Sequence, residues 1–222
     1  MDEASPAERL AEVRLAIGRA ERLAGRPAGE VRLIAVSKTQ PAEAISGLIE
    51  AGHRIFGENR VQEAQEKWPE LRERHQDVSL HLVGRLQSNK ADEAVTLFDA
   101  IHSIDRPSLV TALARAMDRS GRRPEGFVQV NIGDEPQKGG CATAELPDLL
   151  RTCGEAGIPI VGLMCIPPAG LEPAPYFALL ATLARRHALP ALSMGMSADF
   201  ETAVTIGATH IRVGTALFGA RA

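Results

Sequence analysis

The sequence predicts a (β/α)8 barrel of the TIM type with one extra helix in front of it, and three observations predict it. Eight short strand-like segments recur along the 222 residues, each followed by a helical pattern. The strongest of them, such as VRLIAV (Val31–Val36), are almost continuously apolar, as strands covered on both faces are. No GxGxxG turn follows the first strand, which argues against the alternative, an open doubly wound sheet. The length suffices to bury one large core, and no linker or break in composition divides it, so residues 1–222 are expected to form one domain.

Taken in order, Ala7–Leu23 reads as an amphipathic helix with Leu10, Val13, Ile17 and Ala20 on one face and Ser5-Pro6 as its cap. Val31–Val36 is the first strand and delivers Lys38 just past its end. A helix over Ala42–Ala51 stops at Gly52, a usual C-terminal position for glycine. His53–Gly57 is a strand that leads to Glu58 and Asn59, and Arg60–Arg74 is a polar helix. Leu80–Gly84 is a strand, with Ser88 or Asn89 opening a helix to Leu97. Ala100–Ile104 is followed by a helix from Asp105 towards Arg119. Phe127–Ile132 precedes the loop GDEPQKGGC and a helix to about Ala156. Ile158–Ile166, closed by Pro167-Pro168, precedes a helix over Ala174–His187. Ala191–Met194 leads to a helix opened by Ser197 or Asp199, and His210–Val213 to a final short one at Gly214–Phe218.

The composition excludes several classes. A net charge of −3 gives no general attraction to nucleic acid or anionic membranes, and 4% aromatics cannot build a base-stacking platform. The N-terminal MDEASPAERL has no apolar signal core, and no run reaches membrane-spanning length, so a soluble cytoplasmic protein is expected. Cys141, Cys153 and Cys165 are odd in number and fit a reducing compartment. The six histidines lack zinc-type spacing, and neither HExxH nor CxxC occurs, so no metal site is expected.

In a barrel the chemistry sits at the C-terminal strand ends. Those positions hold Lys38, Glu58 and Asn59, Arg85, Ser103 and Asp105, Asn131 and Lys138, Ser193, and Arg212 with Gly214-Thr215. Lys38 is either a solvated loop lysine or an amine against an apolar wall. There, partial desolvation favours the neutral form that attacks an aldehyde as a Schiff base. LSMGMS (Leu192–Ser197) and IRVGTALFG (Ile211–Gly219) place glycine and hydroxyl residues after the last two strands, where barrels often hold phosphate. Ser193, Gly195, Gly214 and Thr215 therefore make a candidate phosphate cradle, while Ser88, Asp105 and Ser197 read rather as helix caps. Arg212 either joins a structural ion pair or aims into the barrel mouth, where its fixed charge must meet an acceptor. A Schiff-base lysine, a phosphate cradle and an arginine facing a ring nitrogen together describe pyridoxal 5′-phosphate. His81, inside an apolar strand, reads first as a core histidine and stands at most behind the cofactor-touching residues.

The motifs VSKTQP, FGENRVQEA, HLVGRLQSNK, HSID, VQVNIGDEPQKGGC, GLMCIPP, LSMGMSADFETAV and IRVGTALFGAR resemble, in that order, those of the pyridoxal phosphate homeostasis proteins, which are similar to the N-terminal barrel of alanine racemase. The likeness runs from about Val31 to Arg221, with Gly139-Gly140 a small departure in one loop. It implies that Lys38 carries the cofactor as an internal aldimine and that Arg212 faces the pyridine nitrogen. It further implies that Ser193, Gly214 and Thr215 hold the phosphate and that Asn59 lies near the ring substituents. It also implies carriage and buffering of the cofactor without efficient turnover, with apo-enzymes as candidate recipients. A racemase needs a second base opposite Lys38, and the one tyrosine, Tyr176, falls in an outer helix while the sequence ends at Ala222, without the domain that would supply one. A cofactor-free lyase using Lys38 leaves Arg212 unexplained. Without that second domain, a monomer is expected. Lys138 is either an exchanging amine or solvated, and the solvated reading is preferred.

Overall fold

The computed structural model describes residues 4–219, so Ala220 and Arg221 of the last motif, and the ends of the expected domain, lie outside the described residues. Eight parallel strands close into a barrel in sequence order: β1 (Arg32–Val36), β2 (Ile55–Glu58), β3 (Ser79–Leu82), β4 (Ala100–Ile104), β5 (Glu125–Gln129), β6 (Ile160–Met164), β7 (Ala191–Ser193) and β8 (His210–Val213). Closure runs through β8 on β1, with Ile34 opposite Arg212.

The helices are α1 (Pro6–Leu23), α2 (Ala42–Glu50), α3 (Val61–Arg74), α4 (Ala91–Leu97), α5 (Pro107–Ser120), α6 (Leu146–Glu155), α7 (Ala174–Arg186), α8 (Phe200–Ile206) and α9 (Thr215–Phe218). They bury their apolar stripes on the outside of the sheet. The leading helix α1 starts in a capping box: the Ser5 hydroxyl accepts from the Glu8 N–H, and the Glu8 carboxylate accepts from the Ser5 N–H at 2.8 Å. Leu10, Val13 and Ile17 pack it towards α8, α9 and α2. Its buried Glu21 accepts the N–H groups of Gly29 and Val31 at 3.0 Å each, which ties the helix to the start of β1. Arg26, just beyond it, donates to the carbonyls of Val204 and Ala208 at 2.9 and 2.8 Å.

Element boundaries near the site follow from local pairing. β5 stops at Gln129 because Val130 and Asn131 turn to pair with Cys141 of the glycine-rich loop. The segment after β3 begins as a 3-10 turn, Ser88–Lys90, before α4. The helix after β7 starts at Phe200, with Asp199, the second of the two expected openers, at its N-cap position.

Candidate functional site

The C-terminal ends of the strands enclose a cavity of about 360 Å3. Lys38, Gln40, Asn59, Ser197, Arg212, Gly214 and Thr215 supply its polar groups; Val36, Val83 and Ile166 give it an apolar wall.

Lys38 is half-buried on a loop held from behind by α3. After β1 the Ser37 N–H donates to the Gly57 carbonyl at 2.9 Å, and Thr39 takes a left-handed φ of 61°, which a β-branched residue seldom adopts. The Glu63 carboxylate accepts the Thr39 N–H, and Lys67 donates to the carbonyls of Ser37 and Gln40 at 2.9 and 3.4 Å. Lys67 is in turn paired with Glu58 and Glu63, each at 2.8 Å. Glu58 therefore serves the loop and not the cavity: its Oε1 also accepts from the Ser37 hydroxyl at 2.7 Å and the Trp68 indole at 3.0 Å.

Asn59 follows β2 with its backbone pressed against Gly84. A Cβ on Gly84 would lie 2.2 Å from the Asn59 carbonyl oxygen and 2.6 Å from its Cα. Gly84→Ala is therefore expected to displace Asn59 and to destabilise the protein by about 1–3 kcal/mol, the range of overpacked interiors. A urea midpoint equal to that of the parent would show that the strand end yields freely.

Arg212 is buried, at 5% exposure. Its guanidinium donates to the Ser193 hydroxyl at 2.7 Å and to the Cys165 carbonyl at 2.9 Å. Burial lowers its pKa, yet a guanidinium stays charged under any ordinary condition. Among the described residues no carboxylate pairs with it. The Asp199 carboxylate acts on it only through its charge, without a direct ion pair; a buried cation lacking a direct anionic partner is costly, and Arg212 lines the cavity.

The cavity thus gathers five of the residues singled out from sequence: Lys38, Asn59, Arg212, Gly214 and Thr215. Three others are placed elsewhere. Ser193 is fully buried beneath the cavity, where its hydroxyl is engaged by Arg212 and by His102, 2.8 Å away. Gly195, at φ +93°, makes room for α8, since a Cβ there would meet the Ala203 Cβ at 2.6 Å; its carbonyl accepts the Arg212 N–H. His81 lies deeper in the barrel, against Ser79 and His102. Ser197, read as a helix cap, instead lines the cavity and accepts the Gly214 N–H at 3.3 Å. The hydroxyl residue two steps past Gly195, in the same run as Ser193, was the available clue.

Of the remaining strand-end candidates, Ser103 is fully buried with no partner for its hydroxyl among the described residues, and the others have structural partners. Asp105 pairs with Arg106, Asn131 closes its own turn onto Glu135, and Lys138, partly exposed, is tied to Glu135 and the Pro167 carbonyl. The three cysteines are buried and unpaired, and burial pushes the thiols of Cys141 and Cys165 up to about 12. Among the described residues no group of His, Cys, Asp and Glu is placed to hold a metal ion, and no helix is long and apolar enough to cross a membrane.

The family described as "Alanine racemase, N-terminal domain" matches residues 14–222, and so defines the class of domain to which this closed barrel belongs. Within that class the curated relatives carry one name. The pyridoxal phosphate homeostasis protein of Pseudomonas aeruginosa is 40% identical over 97% of this chain and 95% of its own, and that of Aquifex aeolicus 38% over 96% and 97%. PipY of Synechococcus elongatus, whose structure was solved with PLP bound, superposes with a TM-score of 0.84 at 43% identity, covering 96% of this chain and all of PipY. The chain belongs to the pyridoxal phosphate homeostasis protein family.

Proposed function

We propose that the cavity binds pyridoxal 5′-phosphate through Lys38 and that the protein holds and releases this cofactor for intracellular homeostasis rather than turning over a substrate. The observation that carries the reading is the buried Arg212 guanidinium, in no ion pair with a carboxylate among the described residues, on the same cavity as the Lys38 amine. The cofactor brings an aldehyde that a lysine amine captures reversibly, together with a ring-nitrogen acceptor and a phosphate. The donor set fits that ligand. Arg212 offers a fixed charge to the ring nitrogen, and Gly214, Thr215 and Ser197 offer amide and hydroxyl groups for the phosphate. Asn59 stands at the wall beside them, and the names and bound cofactor of the relatives agree.

The absence of turnover has its own support. Two-sided proton transfer needs a base on each face of the ligand. Among the described lining residues Lys38 is the one group able to act as such a base, since the others are apolar, amide, hydroxyl or guanidinium residues. Arg212 would also keep the ring nitrogen from accepting a proton, which weakens it as an electron sink. The reading takes the protein to act as a cytoplasmic monomer and to give its cofactor up to apo forms of enzymes that use it.

The test is the absorption spectrum of the purified protein with added cofactor, before and after borohydride, followed by peptide mapping. The parent should become yellow and carry the reduced label on Lys38. Lys38→Ala should lose the label entirely while keeping its circular dichroism. A label mapping to another lysine, or a parent that takes up no cofactor, would defeat the reading.

A further inference from the structure

Barrel interiors are ordinarily filled by Val, Ile and Leu; this one carries a line of polar groups. Ser79 Oγ lies 3.1 Å from His81 Nε2, and His81 Nδ1 lies 3.0 Å from His102 Nε2. His102 Nδ1 lies 2.8 Å from Ser193 Oγ, which accepts from Arg212 Nη1 at 2.7 Å. His102 on β4 and Ser193 on β7 are not neighbours in the sheet, so their contact spans the barrel interior. The His102 ring stacks on Phe127, 4.1 Å between centroids, which fixes its plane.

Both imidazoles are neutral near pH 7. Burial lowers the His81 pKa to about 4; burial, and then the charges of His81, His210 and Arg212, hold His102 well below its ordinary value. A neutral imidazole has one N–H and one bare nitrogen, so the line admits only two proton arrangements. In one, Ser79 donates inward and His102 donates to Ser193. Ser193 then accepts from both His102 and Arg212, and its own proton has no acceptor, although the residue is fully buried. In the other, every buried donor is used, and the hydroxyl left free belongs to Ser79, which is half-buried at the start of β3. Buried donors are rarely left unpaired, so the second arrangement holds.

We propose that Ser193, His102 and His81 are positioning residues for Arg212. Ser193 donates to His102 Nδ1, His102 Nε2–H to His81 Nδ1, and His81 Nε2–H to Ser79, so that the Ser193 oxygen faces Arg212 purely as an acceptor. With Nη1 on Ser193 and Nη2 on Cys165, the guanidinium plane is set, and the edge it turns to the cavity is decided by a chain reaching to the opposite end of the barrel. His210 stands beside the chain, its ring centroid 6.0 Å from that of His102, and is not a member. The inference rests on the cofactor reading above for its consequence, though not for its geometry.

The experiment uses the full chain with 15N-labelled histidine, without cofactor, and then with pyridoxal 5′-phosphate added. In the cofactor-free parent, His81 and His102 should each carry their proton on Nε2, with a coupling across the hydrogen bond from His102 Nε2 to His81 Nδ1. Ser193→Ala and His102→Phe should raise the cofactor dissociation constant about tenfold, the loss of one hydrogen bond to a charged group. They should also move the absorption maximum of the bound cofactor, with circular dichroism unchanged. His102→Gln, which keeps a donor and an acceptor, should lose less. An Nδ1–H tautomer at either histidine overturns the proposal, as does a Ser193→Ala protein with the parent's affinity and absorption maximum. A parent that shows the coupling but takes up no cofactor leaves the chain standing and defeats the cofactor reading instead. Should His102→Phe not fold, the tautomers of the parent decide.

Discussion

Acidification from pH 7 to pH 4 is expected to unfold the protein, with most of the loss falling between pH 6.5 and 4. Four histidines are buried as neutral rings: His53, His81, His102 and His210. Burial, the largest cause in each case, lowers His53 and His81 to about 4 and His210 to about 3, and holds His102 well below 6.5. In the unfolded chain each titrates near its ordinary value of 6.5. Below that pH the unfolded state binds protons that the folded state refuses, so stability falls as pH falls and levels off only near the folded values. Each tenfold loss of proton affinity on folding corresponds to about 1.4 kcal/mol; His53 and His81 therefore remove about 3 kcal/mol each. With His210 these approach about 10 kcal/mol, which is comparable with the whole stability of a typical protein of this size, and His102 acts in the same direction. The urea midpoint should be flat above pH 7 and drop steeply below 6.5, and His53→Phe should make the drop shallower. A midpoint unchanged between pH 6.5 and 5 would contradict the burial of neutral imidazoles in the barrel.

Lys67→Met is expected to cost about 3–5 kcal/mol and to loosen the Lys38 loop. The reason is that the variant removes one side of a pair whose other member, Glu58, is fully buried, the expensive way to break a buried pair. The Ser37 and Gln40 carbonyls lose their donor at the same time. The double variant Glu58→Gln with Lys67→Met removes both members of the pair and should recover most of the stability, but not the tether. Denaturant midpoints give the energy, and the rate of cofactor uptake reports the loop. Equal midpoints for Lys67→Met and the parent would mean that Glu58 reaches water, against its burial.

Much of the site was legible because the barrel maps position in sequence onto position in space. Lys38, Asn59, Arg212, Gly214 and Thr215 each follow or end an apolar strand, and closure brings all strand ends to one mouth. Ser193 and Ser197 show where that mapping fails. Both are hydroxyl residues at or after the end of the same strand, four positions apart. Which of them meets the cavity depends on the turn at Gly195 and on where α8 begins, and Asp199 is as able a cap as Ser197. Glu58 and Asn59 are adjacent, yet one turns to Lys67 and the other to the cavity, because the strand ends at Glu58 and the chain bends at Asn59.

The sequence alone determined the alternation of strand and helix, the barrel, the family and the lysine past the first strand. These rest on local patterns of apolar and turn residues and on motifs that a linear reading contains in full. Only the tertiary structure decided that His81, His102 and Ser193, from three separate strands, meet Arg212 in one line, and that α3 holds the loop of Lys38. Contacts between residues as far apart in sequence as His102 and Ser193 come from closure of the sheet, and no local pattern of residues encodes which inward side chains will touch across it.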